Sequence, residues 1–226
     1  TWRTHLESLP HLNLAAVLAP ECIDGLQVPQ LVHAEPRKAL GRLARAFEEN
    51  PDERLSLVGV TGTNGKTTTV RLIAHLLDCL GTSCGSIGTL GVELAGQFAQ
   101  SGTYTTPLSP DLYRHLANFR DLGAHAVAME VSSHALALDR VEGLTFDGAV
   151  LTNVERDHLD FHGTQQAYAE AKRRLFGLVK QSGWCVLNRH SACWEAFAQG
   201  ATGQVITYGY KGSGADFEVG DLDLQA

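Results

Sequence analysis

The chain has 226 residues, 44% hydrophobic and 19% charged, the make-up of a globular protein of one to two domains with length enough to bury a core. A net charge of −7, a pI near 5.8 and no basic cluster longer than Lys172-Arg173-Arg174 argue against a nucleic-acid partner. No apolar run nears the roughly 18 residues of a membrane span, no signal-peptide pattern opens the chain, and five cysteines form no C-x-x-C pair, so a cytoplasmic protein with no membrane partner and buried, reduced thiols is expected.

Residues 1–50 are weakly marked until a helical stretch over 36–47. Asn50-Pro51-Asp52 is a turn signal and the expected boundary between a small N-terminal part, 1–50, and a larger one, 51–226. An apolar run over 55–60 then reads as a strand, and a helical pattern covers 68–80. Between them stands Gly62-Thr63-Asn64-Gly65-Lys66-Thr67-Thr68. Strand, glycine turn and helix start in that order make a phosphate cradle, because turn and helix N–H groups and the helix dipole all face the anion. Lys66 is placed to reach the β- and γ-phosphates of a nucleoside triphosphate, and the Thr67 hydroxyl to ligate Mg²⁺. Position 60 is Val where a strict P-loop has glycine, so the match is to a variant in which Gly62 makes the turn.

Further strands are expected at 84–92, 125–131, 147–153, 184–188 and 204–208, with helices at 110–122, 164–180 and 191–199. Such alternation implies an α/β fold: a mostly parallel sheet with helices on both faces, of P-loop type, preceded by a small partial α/β domain. Ligands then bind beyond the carboxyl ends of the strands. Glu130 closes one apolar strand, and a carboxylate there is costly unless paired or on a metal; metal is favoured. The strand over 147–153 runs into Glu155, Asp157, His158, Asp160 and His162, a density that lifts His158 to a candidate ligand. On the next helix Tyr168, Ala171, Leu175, Phe176 and Val179 share one face, and Lys172 falls inside that stripe. Such a lysine usually snorkels; buried, it would lose its proton readily and become nucleophilic. Thr103 to Pro107 form a hydroxyl-rich loop, either a plain turn or a sugar or phosphate contact.

The ordered set Gly59 to Thr68, Thr105-Thr106-Pro107, Met129 to His134, Thr152-Asn153, Asp157 to Gly163 and Ala171-Lys172 closely resembles the Mur ligases. Within them it is most similar to the branch adding the third amino acid to UDP-MurNAc-dipeptide in peptidoglycan synthesis. The likeness covers about residues 32–226. It implies an ATP-dependent amide ligase, with Lys66 and Thr67 on the ATP phosphates and first Mg²⁺, Glu130 also on metal, and His158 with a carbamylated Lys172 holding a second Mg²⁺. It implies Thr105, Thr106, Ser132 and Arg140 as contacts to the UDP-sugar-peptide, and Ser133-His134 as substrate-binding, not a nucleophile–base pair. Residues 1–50 would be a remnant of the UDP-binding domain and 51–226 an incomplete ATP-binding domain. The family's Asp-Ser-Arg element is not found in residues 1–30, nor its later His-Asn segment and C-terminal domain, so the stretch by itself is not expected to ligate. Alternatives are a folylpolyglutamate- or cyanophycin-type ligase and a non-catalytic ATP-binding module.

Overall fold

The computed structural model describes residues 13–94 and 98–220. Val17–Ala19 (β1) and Gln30–Val32 (β2) pair in parallel as a small sheet of their own. The helix Pro36–Phe47 (α1) opens on proline, whose missing N–H is harmless in a first turn. Asn50 follows in a left-handed conformation and leads into a 3₁₀ turn over Pro51–Arg54. The Arg45 guanidinium donates to buried Asp52 (2.9 and 3.0 Å), fixing this corner.

The main body begins with Ser56–Thr61 (β3), Lys66–Cys79 (α2), Cys84–Gly88 (β4), Gly91–Leu94 (β5) and Phe98–Gln100 (β6). Ser109–Asp121 (α3) leads to Ala126–Glu130 (β7), Ser133–Ala137 (α4) and Phe146–Leu151 (β8). Leu159–His162 (α5) and Gln165–Arg173 (α6) precede Val179–Asn188 (β9), Trp194–Gln199 (α7), Gln204–Tyr210 (β10) and Phe217–Val219 (β11). The order across the sheet is β11-β10-β9-β8-β3-β7-β4-β5-β6, parallel from β11 to β4 and antiparallel through β5 and β6. Connections leave β3 for β4 on one side, and later ones run to β8 on the other. That reversal opens a crevice at the carboxyl end of β3.

Strand alternation splits the core in two. Leu57, Ile87, Val127, Met129, Leu151 and Leu187 face Leu112, Leu116 and Phe119 of α3, Leu136 of α4 and Phe197 of α7. Val60, Cys84, Ala126 and Ala128 face Val70 and Ala74 of α2. Helices therefore cover both faces, as the alternation of elements implies. Each fully buried Leu or Phe contributes about 1.5–3 kcal/mol.

Several expectations need correction. The strand expected over 84–92 is a hairpin, β4 and β5, turning tightly through Thr89 and Leu90, with Gly91 at φ 106°. The helix expected over 164–180 stops at Arg173; a 3₁₀ turn over Phe176–Leu178 and the start of β9 follow. Leu175, Phe176 and Val179 are buried as their spacing requires, but by a tighter turn and a strand. The last helix starts at Trp194 instead of 191. Cys84 and Cys185 are buried, whereas Cys22 and Cys79 are exposed.

Candidate active site

Four strand ends converge on the loop after β3. Gly62 has φ +149°, and a Cβ there would lie 1.9 Å from Thr152 Oγ1, so the position tolerates no side chain. Gly65, at φ +84°, turns the chain into α2, whose first N–H groups, on Lys66, Thr67 and Thr68, have no partner within the helix. The end of β8 moulds the loop. Asn153 accepts from Thr63 N–H on its carbonyl (2.9 Å) and from Asn64 N–H on its side chain (3.0 Å). The Thr152 hydroxyl donates to Asn64 O (2.6 Å), and the side chain of Asn188, at the end of β9, donates to Thr152 O (2.7 Å). These bonds between strand ends fix the shape of the loop.

Two lysines point into it. Lys66 Nζ donates to Gly62 O (3.0 Å) and Thr63 O (2.9 Å). Lys172 is only 1% exposed, so it does not snorkel; its Nζ donates to the same Gly62 O (2.7 Å) and sits 4.4 Å above the Tyr168 ring. The Tyr168 hydroxyl lies 3.2 Å from Thr63 Oγ1. Burial, then the neighbouring Lys66 charge, pushes the Lys172 amine down to about 7, against the pull of Asp157. Burial also lowers Lys66, opposed by Glu130 and Asp157.

Buried Glu130 stands beside Thr67, whose hydroxyl donates to Oε1 (2.8 Å). Thr89 adds its N–H to Oε1 (2.8 Å) and its hydroxyl to Oε2 (3.3 Å). A hydroxyl and a carboxylate at a helix N-terminus form a hard-oxygen pair that suits Mg²⁺. His158 has φ 50° and a half-exposed ring, 3.4 Å from Asp157 Oδ2 and 6.1 Å between centroids from Tyr168. His158 and Lys172 thus both lie against Tyr168, the Lys172 amine 4.4 Å from the centre of its ring. Among the described residues, no three His, Cys, Asp or Glu side chains are arranged to hold a metal by themselves.

The substrate candidates separate into two kinds. Thr106 is fully buried; its hydroxyl donates to Glu130 O (2.9 Å), lies 3.2 Å from Ser132 Oγ and accepts from Ser132 N–H (3.0 Å). Ser132 Oγ in turn caps α4, accepting from Ala135 N–H (3.2 Å). Both hydroxyls are thus engaged inside the fold. Thr105 is less committed, with Oγ1 3.1 Å from Thr89 Oγ1. Arg140 donates to Thr106 O (2.9 Å), lies 4.7 Å above the Tyr104 ring and keeps a buried Nε–H without a partner; burial lowers its pKa. Ser133 Oγ is buried without a partner and His134 packs edge-on against His158, so the two form no nucleophile–base pair. Sequence reasoning passed over Thr89. It lies inside the stretch expected as one continuous strand, so the sequence carried no signal for it.

A glycine turn at the switch point of a parallel sheet, with helices on both faces, defines an α/β fold of P-loop type. The Mur ligase middle domain matches residues 60–226, and the chain belongs to that family. It is 51% identical over 164 residues to the UDP-N-acetylmuramoyl-L-alanyl-D-glutamate--2,6-diaminopimelate ligase of Xanthomonas oryzae pv. oryzae, covering 72% of this chain and 33% of that one. A relative of the same name from Synechococcus elongatus is 44% identical over 183 residues, 80% of this chain and 36% of its own. The chain spans about a third of the length of these curated relatives. A solved structure of a UDP-N-acetylmuramoyl-L-alanyl-D-glutamate--2,6-diaminopimelate ligase superposes with a TM-score of 0.83 at 32% identity, covering 98% of this chain and 45% of that one. An Escherichia coli FolC structure with ADP, at 20% identity and a TM-score of 0.58 over 92% of this chain and 50% of that one, shares the fold.

Proposed function

We propose that this chain is part of an ATP-dependent amide ligase of peptidoglycan precursor synthesis, acting in the cytoplasm. It would join a third amino acid to UDP-MurNAc-L-Ala-D-Glu. Residues 1–50 would correspond to the end of the relatives' UDP-binding domain and 51–226 to part of their ATP-binding domain. The observation that carries the proposal is the convergence of Lys66 and Lys172 on Gly62 O beside the Thr67–Glu130 pair.

In the proposed reaction the dipeptide carboxylate attacks the γ-phosphorus of ATP, ADP leaves, and an acyl phosphate forms. The amine of the incoming amino acid then displaces phosphate. An anion attacking an anion requires alignment and neutralisation more than covalent help from the protein. The N–H groups of Lys66, Thr67 and Thr68 orient the triphosphate, and Lys66 stabilises charge on the transferring phosphoryl group. Mg²⁺ ions, held by Thr67 with Glu130 and by His158 with carbamylated Lys172, would neutralise the remaining phosphate charge. Thr105 and Arg140 would orient the sugar-peptide, while Thr106 and Ser132 shape the floor beneath it.

The relatives' names and 44–51% identities favour this reading over a folylpolyglutamate-type ligase, whose structures match at 14–20%. The test is calorimetry of the chain with Mg²⁺·AMPPNP, paired with ¹³C NMR in ¹³C-bicarbonate. Mg²⁺-dependent binding and a carbamate signal lost in Lys172→Met are expected. Absence of both would sink the proposal.

A further inference from the structure

The Glu130 carboxylate and the Thr105 hydroxyl are joined through one residue, Thr89. Thr89 Oγ1 is within hydrogen-bond distance of both Glu130 Oε2 (3.3 Å) and Thr105 Oγ1 (3.1 Å). Glu130 Oε1 already receives Thr67 Oγ1 and Thr89 N–H, so the Thr89 hydroxyl is the donor that fixes the second carboxylate oxygen. Thr89 is placed rigidly. It follows β4 in a tight hairpin, and a Cβ on the preceding Gly88 would lie 2.2 Å from Glu130 Oε1. Only glycine at 88 lets the strand end approach the carboxylate closely enough for the next residue to donate twice.

The geometry points to Thr89 as a positioning residue that couples the Glu130 carboxylate to Thr105, so that occupation of the nucleotide–metal site is felt in the substrate loop. This rests on the reading of Glu130 as a metal ligand. The physical basis is a directed chain. With Glu130 ionised, the Thr89 proton points at the carboxylate and its lone pairs accept from the Thr105 hydroxyl. A cation on Glu130 weakens that acceptor and frees the Thr89 proton to turn, which changes what Thr105 can donate. Thr106, one residue on, is fixed to Glu130 O by its buried hydroxyl, so Thr105 is the part of the loop left to respond. Coupling of this kind acts in both directions: substrate on Thr105 favours the carboxylate arrangement that suits the ion.

The test uses the full chain with methyl-labelled threonine. Mg²⁺·AMPPNP should move the Thr67 and Thr105 methyl resonances in the wild type. In Thr89→Val, which keeps the N–H donor and the branched shape, the Thr67 response should remain while the Thr105 response is lost. Thr89→Ser should restore it, which general loosening of the hairpin would not. An undiminished Thr105 response in Thr89→Val would overturn the coupling. A wild-type Thr67 methyl that ignores Mg²⁺·AMPPNP would overturn the nucleotide reading instead. In that case the coupling is read without nucleotide, from the Thr105 shift caused by Glu130→Gln, which must vanish when Thr89→Val is also present.

Discussion

Lys66 and Lys172 donate to the same backbone oxygen, Gly62 O, from 3.0 and 2.7 Å. One carbonyl cannot neutralise two ammonium groups. Burial first, and then the Lys66 charge, lowers the affinity of the Lys172 amine for a proton.

Stability should therefore depend on Lys172 and pH. The folded chain releases this proton near pH 7 and the unfolded chain near 10.5, so between those values the unfolded state holds more protons. Stability then rises with pH across that window, and the cost is full below it. Urea unfolding in bicarbonate-free buffer should show Lys172→Met gaining on the wild type by roughly 2–5 kcal/mol at pH 6, an advantage that shrinks toward pH 10. An advantage independent of pH would mean that the amine is solvated in the folded state.

Lys66→Met should have two separable effects. Affinity for Mg²⁺·AMPPNP should drop about 10–100-fold, the range for a lost charge-assisted contact. The Lys172 amine should also bind its proton more tightly, visible as a higher midpoint in the same pH series. A loss of affinity without that shift would place the two ammonium groups farther apart than the shared carbonyl implies.

Gly62→Ala tests the cradle itself. Its Cβ would overlap Thr152 Oγ1 and force a backbone that alanine rarely adopts. Loss of nucleotide binding with a stability cost of about 1–3 kcal/mol is expected from calorimetry and thermal unfolding. Gly163→Ala, at φ +74° with nothing within 4 Å of its Cβ, serves as the comparison: strained, but without the clash and with binding retained.

His134 on α4 and His162 on α5 make a third titrating group. Burial, then the charge of His158 on His134 and of His134 on His162, holds both His134 and His162 below their ordinary values. Each is thus protonated more readily unfolded than folded, and acidification through the window below pH 6.5 removes stability. Proton NMR titration should find His162 rising in His134→Asn. An unmoved His162 would assign its shift to burial alone.

Much of this was legible in the residues. The continuous apolar strands, the glycine turn and the period of α2 placed the cradle, and the helical stripe through Tyr168 and Leu175 placed Lys172 in the interior. The β4–β5 hairpin was not legible, because Gly88 and Gly91 bracket a turn of only two residues inside an apolar stretch. The end of α6 was hidden for a related reason: Leu175, Phe176 and Val179 satisfy helical spacing while lying in a 3₁₀ turn and a strand. Thr106 and Ser132 looked like free hydroxyls, since nothing in their neighbours in sequence shows that each takes the other's bond. Thr89 was invisible because its partners lie 41 and 16 residues away.

The cradle takes its shape from Asn153 and Thr152 after β8 and from Asn188 at the close of β9, as well as from its own glycines. A transplanted Gly62–Thr67 hexapeptide would therefore carry the letters of a phosphate loop without its form. Any piece that keeps the cradle's form must span β3 through the close of β9, with the loops after β3 and β8 carried along.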